Sequence, residues 1–125
     1  MEFDKLSNRV IGCALEVHKH LGPGLLESTY EQCFAHELRT AGIPFALQYP
    51  LPVEYKGIKL DCGYRVDLLI DNTIIVELKS ADKILPIHEA QLLTYMKLSD
   101  ITIGLLMNFN VKYMKDGIKR MVNGL

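Results

Sequence analysis

Charge of one sign, long apolar runs, paired cysteines and internal repeats are all missing from this 125-residue sequence, and each absence narrows what the chain can be. Lys and Arg number 14 against 15 Asp and Glu, leaving a formal net charge of −1. That balance excludes nucleic-acid binding by bulk electrostatics and confines any such binding to a local patch, for which Lys112, Lys115, Lys119 and Arg120 are the candidates. No apolar run approaches the ~20 residues that span a bilayer, and Met1-Glu2-Phe3-Asp4-Lys5 lacks the form of a signal peptide. A soluble, cytoplasmic protein is therefore expected. Cys13, Cys33 and Cys62 are odd in number and far apart, with no paired spacing that suggests zinc, so reduced and mostly buried thiols are expected. With 49% hydrophobic residues and no linker or low-complexity segment, residues 1–125 have the size and content of one globular domain.

What is present is a succession of periodicities. Leu6, Val10, Cys13, Ala14, Val17 and Leu21 recur at helical spacing, with Asp4 or Ser7 placed to cap the start. Gly22-Pro23-Gly24 ends that helix. A second is predicted from about Leu25 to Ala41, with Leu26, Tyr30, Cys33, Phe34, Leu38 and Ala41 inward and Gly42 as its stop. The two helices should pack as a hairpin. Strict alternation of Phe45, Leu47, Tyr49, Leu51, Val53 and Tyr55 predicts a half-buried strand that Pro50 and Pro52 place at an edge or bend. Lys56-Gly57 turns the chain, and Ile58 to Cys62 continues the meander toward a central hairpin. Pro86 suits the first turn of a third helix reaching about Leu98. Leu92, Leu93 and Met96 face its core side, and His88, Gln91 and Tyr95 form another stripe. Ile101 to Phe109 suits a buried strand parallel to an earlier one, and Ile118 to Val122 a short last strand. His18 and His88 are expected in structural hydrogen bonds.

The central hairpin, Tyr64 to Lys79, carries the chemistry. Two Val, Ile and Leu runs flank Asp71-Asn72, and into them the sequence sets Asp67, Glu77 and Lys79. Side chains alternate along a strand, so Glu77 and Lys79 share a face. A regular two-residue loop at Asp71-Asn72 would pair Asp67 with Val76 and put the two acids on opposite faces. For them to meet, the loop must hold an odd number of residues, such as Ile70-Asp71-Asn72 with Asn72 left-handed, or one strand must carry a bulge. Asp67 and Glu77 offer the hard oxygens that Mg²⁺ or Mn²⁺ prefers, and the Leu78 carbonyl adds a third. Two carboxylates ~4 Å apart repel by ~4 kcal/mol at an effective dielectric of 20, so a site holding both charged needs a cation. The plainer reading of these residues is an ion pair at a sheet rim, worth ~0–1 kcal/mol. Likewise Glu27, Tyr30 and Glu31 share one stripe of the second helix, where first-turn acids are favoured by the helix dipole alone.

Asp67, then Glu77-Leu78-Lys79, followed by Gln91-x-x-x-Tyr95, resembles the PD-(D/E)XK nuclease superfamily, the last pair resembling the Q-x-x-x-Y motif of its recombination-exonuclease branch. Gly24-x-x-Glu27-x-x-Tyr30 and the residues before it resemble the small GxxExxY proteins of that superfamily, a likeness covering nearly the whole chain. The resemblance implies an α/β fold: a restriction-endonuclease-like core, with a mixed central β-sheet flanked by an N-terminal helical hairpin and a third helix. It also implies a Mg²⁺- or Mn²⁺-dependent nuclease acting on DNA. Asp67, Glu77, Leu78 and Glu27 would hold the metal, Lys79 would be the catalytic lysine, and Gln91, Tyr95 and Tyr30 would contact substrate. Val66 stands where the superfamily's name has Pro. The alternatives are a non-catalytic nucleic-acid binder, using the basic stretch near residue 115, and a homodimeric interaction domain.

Overall fold

Asp4 starts the first helix: its Oδ2 accepts the Ser7 N–H at 2.9 Å and its Oδ1 the Ser7 hydroxyl at 2.6 Å, giving partners to groups that a helix start otherwise leaves open. The structure is a computed structural model that describes residues 3–124. Helix α1 spans Lys5–Leu21 and stops at Gly22, whose φ of 69° suits glycine. Helix α2 spans Glu27–Thr40, starting later than the apolar spacing predicts. Leu26 is its N-cap, 72% exposed, and not an inner-face residue.

The strands are β1 (Phe45–Pro50), β2 (Val53–Tyr55), β3 (Ile58–Leu60), β4 (Arg65–Ile70), β5 (Ile74–Lys79), β6 (Ile103–Asn108) and β7 (Ile118–Val122), with helix α3 (Pro86–Ser99) between β5 and β6. The main sheet has the order β1-β4-β5-β6-β7. Its β5–β6 pair is parallel, as a crossover through α3 allows, and its other pairs are antiparallel. The long alternating run from Phe45 is interrupted at Leu51-Pro52, where proline withholds ladder donors. Its second half pairs with β3 in a separate hairpin, so Ile58 to Leu60 does not continue the main meander as expected.

Each face of the sheet carries its own core. Val10, Ala14 and Val17 of α1 and Tyr30, Phe34 and Leu38 of α2 cover Leu68, Ile70, Val76 and Leu78. On the other face Leu92, Tyr95 and Met96 of α3 cover Leu69, Ile75 and Leu106. Gly104 of β6 lets α3 come close, since a Cβ there would run into Met96 and Leu92.

Of the four histidines, the two expected in structural bonds make them: His18 Nε2 hydrogen-bonds the Val111 carbonyl at 2.7 Å, and His88 Nδ1 accepts the Leu85 N–H at 3.0 Å at the start of α3. Cys13, Cys33 and Cys62 are free; of these Cys13 is buried and Cys62 is exposed, against the expectation of mostly buried thiols. Among the described residues no helix is long and apolar enough to cross a membrane.

Candidate active site

The turn between β4 and β5 sets the register of everything near it. Asp71 and Asn72 both lie in the left-handed region (φ 48° and 51°), and the Thr73 N–H closes the turn on the Ile70 carbonyl at 2.8 Å. Ile70 then pairs with Ile74, so Thr73 is one residue extra. The loop is odd, as the shared site requires, but comprises Asp71-Asn72-Thr73 and not Ile70-Asp71-Asn72. Pairing continues through Leu68↔Val76 and one further step sets Asp67 opposite Glu77.

At that step the two strands part. β4 goes on with β1 (Tyr49↔Val66), and β5 goes on with β6 through Lys79↔Asn108. The carboxylates take over the ladder's role across the gap. The Asp67 N–H donates to Glu77 Oε2 at 2.8 Å, and the Leu78 N–H donates to Asp67 Oδ2 at 2.8 Å. Backbone donors at a split need acceptors, and the acids supply them. Facing also reverses there: Leu68 packs under α1 and α2, whereas Val66, two residues away, packs with α3. Across from Asp67 on β1, Gln48 holds a φ of 48°, uncommon for its residue type.

A cleft of about 160 Å³ opens beside this split, lined by Glu27, Ser28, Glu31, Gln48, Asp67 and Leu78. Glu27 and Glu31 stand one turn apart on α2. The Gln48 amide donates to Glu31 Oε1 at 2.6 Å and reaches Asp67 Oδ1 at 3.4 Å. Burial pushes Glu31 up, and the charges of Asp67 and Glu27 add to it against the Gln48 hydrogen bond. Glu77, 8% exposed, is pushed to about 8, first by burial and then by Asp67. The Asp67 N–H and Lys79 act in the opposite sense. Lys79 is half-buried at the end of β5, two residues beyond Glu77.

These acids have the donor chemistry of a divalent-cation site: hard oxygens crowded without enough positive charge, two of them driven toward protonation. The expected ligand set is not assembled, however. Glu27, Asp67 and Leu78 line the cleft, while Glu77 is buried beside Asp67 and turned to a backbone donor. Among the described residues no three His, Cys, Asp or Glu side chains come together as ligands for an ion.

The remaining candidates divide. Gln91 Nε2 donates to the Tyr95 hydroxyl at 3.1 Å, one helical turn along α3. Burial pushes the Tyr95 hydroxyl's pKa up, and the charge of Glu77 adds to it. Tyr30 does not contact the cleft. It is fully buried, stacked on Phe109 at 4.5 Å, and its hydroxyl donates to the Gly22 carbonyl at 2.6 Å while accepting the Leu25 N–H at 3.1 Å. The substrate contact expected at Tyr30 is thus corrected to a brace for the loop that leads into Glu27. The basic stretch also fails to form one patch. Neighbours on a strand face opposite ways, and Lys119 pairs with Glu89 of α3 while Arg120 reaches Asp4 at 2.8 Å.

Two contributors escaped the sequence reading. Gln48 depends on a backbone conformation and a cross-strand neighbour that no local pattern reveals. Asn108, 2% exposed, accepts the Ala81 N–H at 3.1 Å and donates to the Ala81 carbonyl at 3.0 Å, pinning the segment after Lys79. A lone amide within the apolar run Ile101 to Phe109 was its available signal.

The fold and these acids define an α/β protein with a carboxylate-lined cleft where its sheet divides. Residues 4–121 match the family model of the PD-(D/E)XK nuclease superfamily, and the chain belongs to that superfamily. Its three helices and mixed five-stranded sheet fit a restriction-endonuclease-like α/β fold. PD-(D/E)XK nucleases generally depend on a divalent metal ion. Comparison with curated proteins and with solved structures gives no match.

Proposed function

We propose that this chain is a divalent-metal-dependent nuclease that hydrolyses phosphodiester bonds in DNA, a member of the GxxExxY group whose single domain covers residues 1–125. The observation that carries the reading is the parting of β4 and β5 around Asp67 and Glu77, beside a cleft lined by Glu27 and Glu31. The group's motif also gains a physical rationale. Gly24, at φ 98°, turns the loop, Glu27 faces the cleft, and Tyr30 locks both in place.

Asp67, Glu77, the Leu78 carbonyl and Glu27 would hold Mg²⁺ (or Mn²⁺), with Glu31 adjacent. When bound, the ion neutralises the acids, polarises a phosphate and lowers the pKa of a water. To join the other ligands, Glu77 would give up its proton and its bond to the Asp67 N–H. Gln48 keeps Asp67 and Glu31 aimed into the cleft. Lys79 orients the attacking water and stabilises charge growing on the phosphate. Gln91 and Tyr95 back Glu77 from behind and hold the nucleic-acid end. A homodimer acting in the cytoplasm would give the domain a second grip on a duplex. The non-catalytic reading loses support because Lys119 and Arg120 are engaged by acids.

Purified protein with Mg²⁺ or Mn²⁺ is expected to nick or degrade DNA. Lys79→Ala should lower the rate by about 100-fold or more while circular dichroism and Tm stay unchanged. Equal inertness of wild type and variant on single-stranded, duplex and branched DNA overturns the proposal.

A further inference from the structure

Beside the acidic cleft lies a second hollow of about 450 Å³, lined by Gly24, Leu25, Leu26, Thr29, Ser80 and Asn110. Its walls adjoin the candidate site at two points of the chain: Leu26 directly precedes Glu27, and Ser80 directly follows Lys79. None of the six lining side chains is ionisable, so the lining pairs with no ion by charge. Aliphatic surface beside hydroxyl and amide groups instead suits a nucleobase, which has apolar faces and polar edges.

The loop that presents this surface is held firmly. Besides the two Tyr30 hydroxyl bonds, Ser80 Oγ donates to the Leu25 carbonyl at 2.6 Å, tying the loop to the end of β5. Leu26 is the most exposed large apolar side chain among the described residues. It also occupies an N-cap, φ −70° and ψ 149°, with no side-chain hydrogen bond, where Ser, Thr, Asp or Asn would stabilise the helix. The open cap costs stability and the exposure returns none, so neither serves the folded chain by itself.

Resting on the nuclease reading, we propose that Leu26 is a wedge and that this hollow receives a nucleobase lifted out of its stack next to the scissile phosphate. The bound substrate is then locally unstacked, and duplex that yields easily is the preferred target.

The test uses Lys79→Ala protein with Mg²⁺ and duplexes carrying 2-aminopurine at successive positions. One position should brighten by about threefold or more on binding, since the probe is quenched by stacking. Leu26→Ser on the same background should abolish the rise and increase Tm by roughly 4 °C through the restored cap, while Leu26→Met should retain the rise. Binding without a rise at any position, or a rise that Leu26→Ser leaves intact, overturns the wedge. The nuclease reading is judged separately, by cleavage with wild type. A Leu26-dependent rise without cleavage would sink catalysis and keep the wedge.

Discussion

A carboxyl that is 8% exposed and faces a second carboxyl titrates far from its ordinary range, and Glu77, at about 8, gives the chain a pH dependence of definite sign. Folded Glu77 holds its proton more tightly than the unfolded chain does. Its contribution to stability is therefore fully present below about 4.5 and is lost as pH rises to about 8. The slope is at most ~1.4 kcal/mol per pH unit. Glu31, also raised, acts in the same direction. Urea unfolding of metal-free protein across that window should show the decline, and Glu77→Gln should flatten it. A profile that rises with pH there would contradict the burial of Glu77. Lys79 acts on a different quantity: its truncation should change turnover and spare stability, because it is half-buried and makes no structural hydrogen bond with its side chain among the described residues.

At the level of elements, the turn at Asp71-Asn72 decides whether the acids meet. Both residues hold positive φ, which non-glycine side chains tolerate at a cost of ~1 kcal/mol, asparagine least. Asn72→Gly should therefore stabilise the hairpin by roughly 0.5–1 kcal/mol, and Asn72→Val should destabilise it by roughly 1–2 kcal/mol, read as shifts in the urea midpoint. Much of this level was legible. Of the two caps offered, Asp4 is the one used, and of an edge or a bend at the prolines β1 takes the edge; the parallel β6 and the bounds of β7 follow from periodicity. The need for an odd loop followed from strand alternation alone. Leu26 was misread because helical spacing cannot tell an inward residue from the residue just before the first turn.

For the molecule as a whole, the proposed cation site would couple ion binding to folding. A ligand that binds only the native state stabilises by about 2.7 kcal/mol at one hundred times its Kd. Millimolar Mg²⁺ should accordingly raise Tm, and by more near pH 8 than near pH 5, because protons compete for Glu77. Differential scanning calorimetry at the two pH values checks this, and an Mg²⁺ effect that vanishes in Asp67→Ala locates it. Equal shifts at both pH values would place the ion elsewhere.

By itself the sequence determined the three helices, the central hairpin, the last two strands and the identity of the acids, because caps, proline, glycine and alternation act over a few neighbouring residues. Only the tertiary structure decided which of those residues meet. The three-residue turn sets Asp67 opposite Glu77, and their carboxylates take backbone donors because the β4–β5 ladder stops one step short of them while β1 and β6 remain paired on the outer sides. Tyr30 faces inward as its spacing predicts, but its hydroxyl goes to the Gly22 and Leu25 backbone, and the basic stretch forms no single patch because Asp4 and Glu89 reach Arg120 and Lys119 from opposite faces. Burial, and with it the proton on Glu77, depends on which surfaces close over a residue, and no local pattern in the chain encodes that.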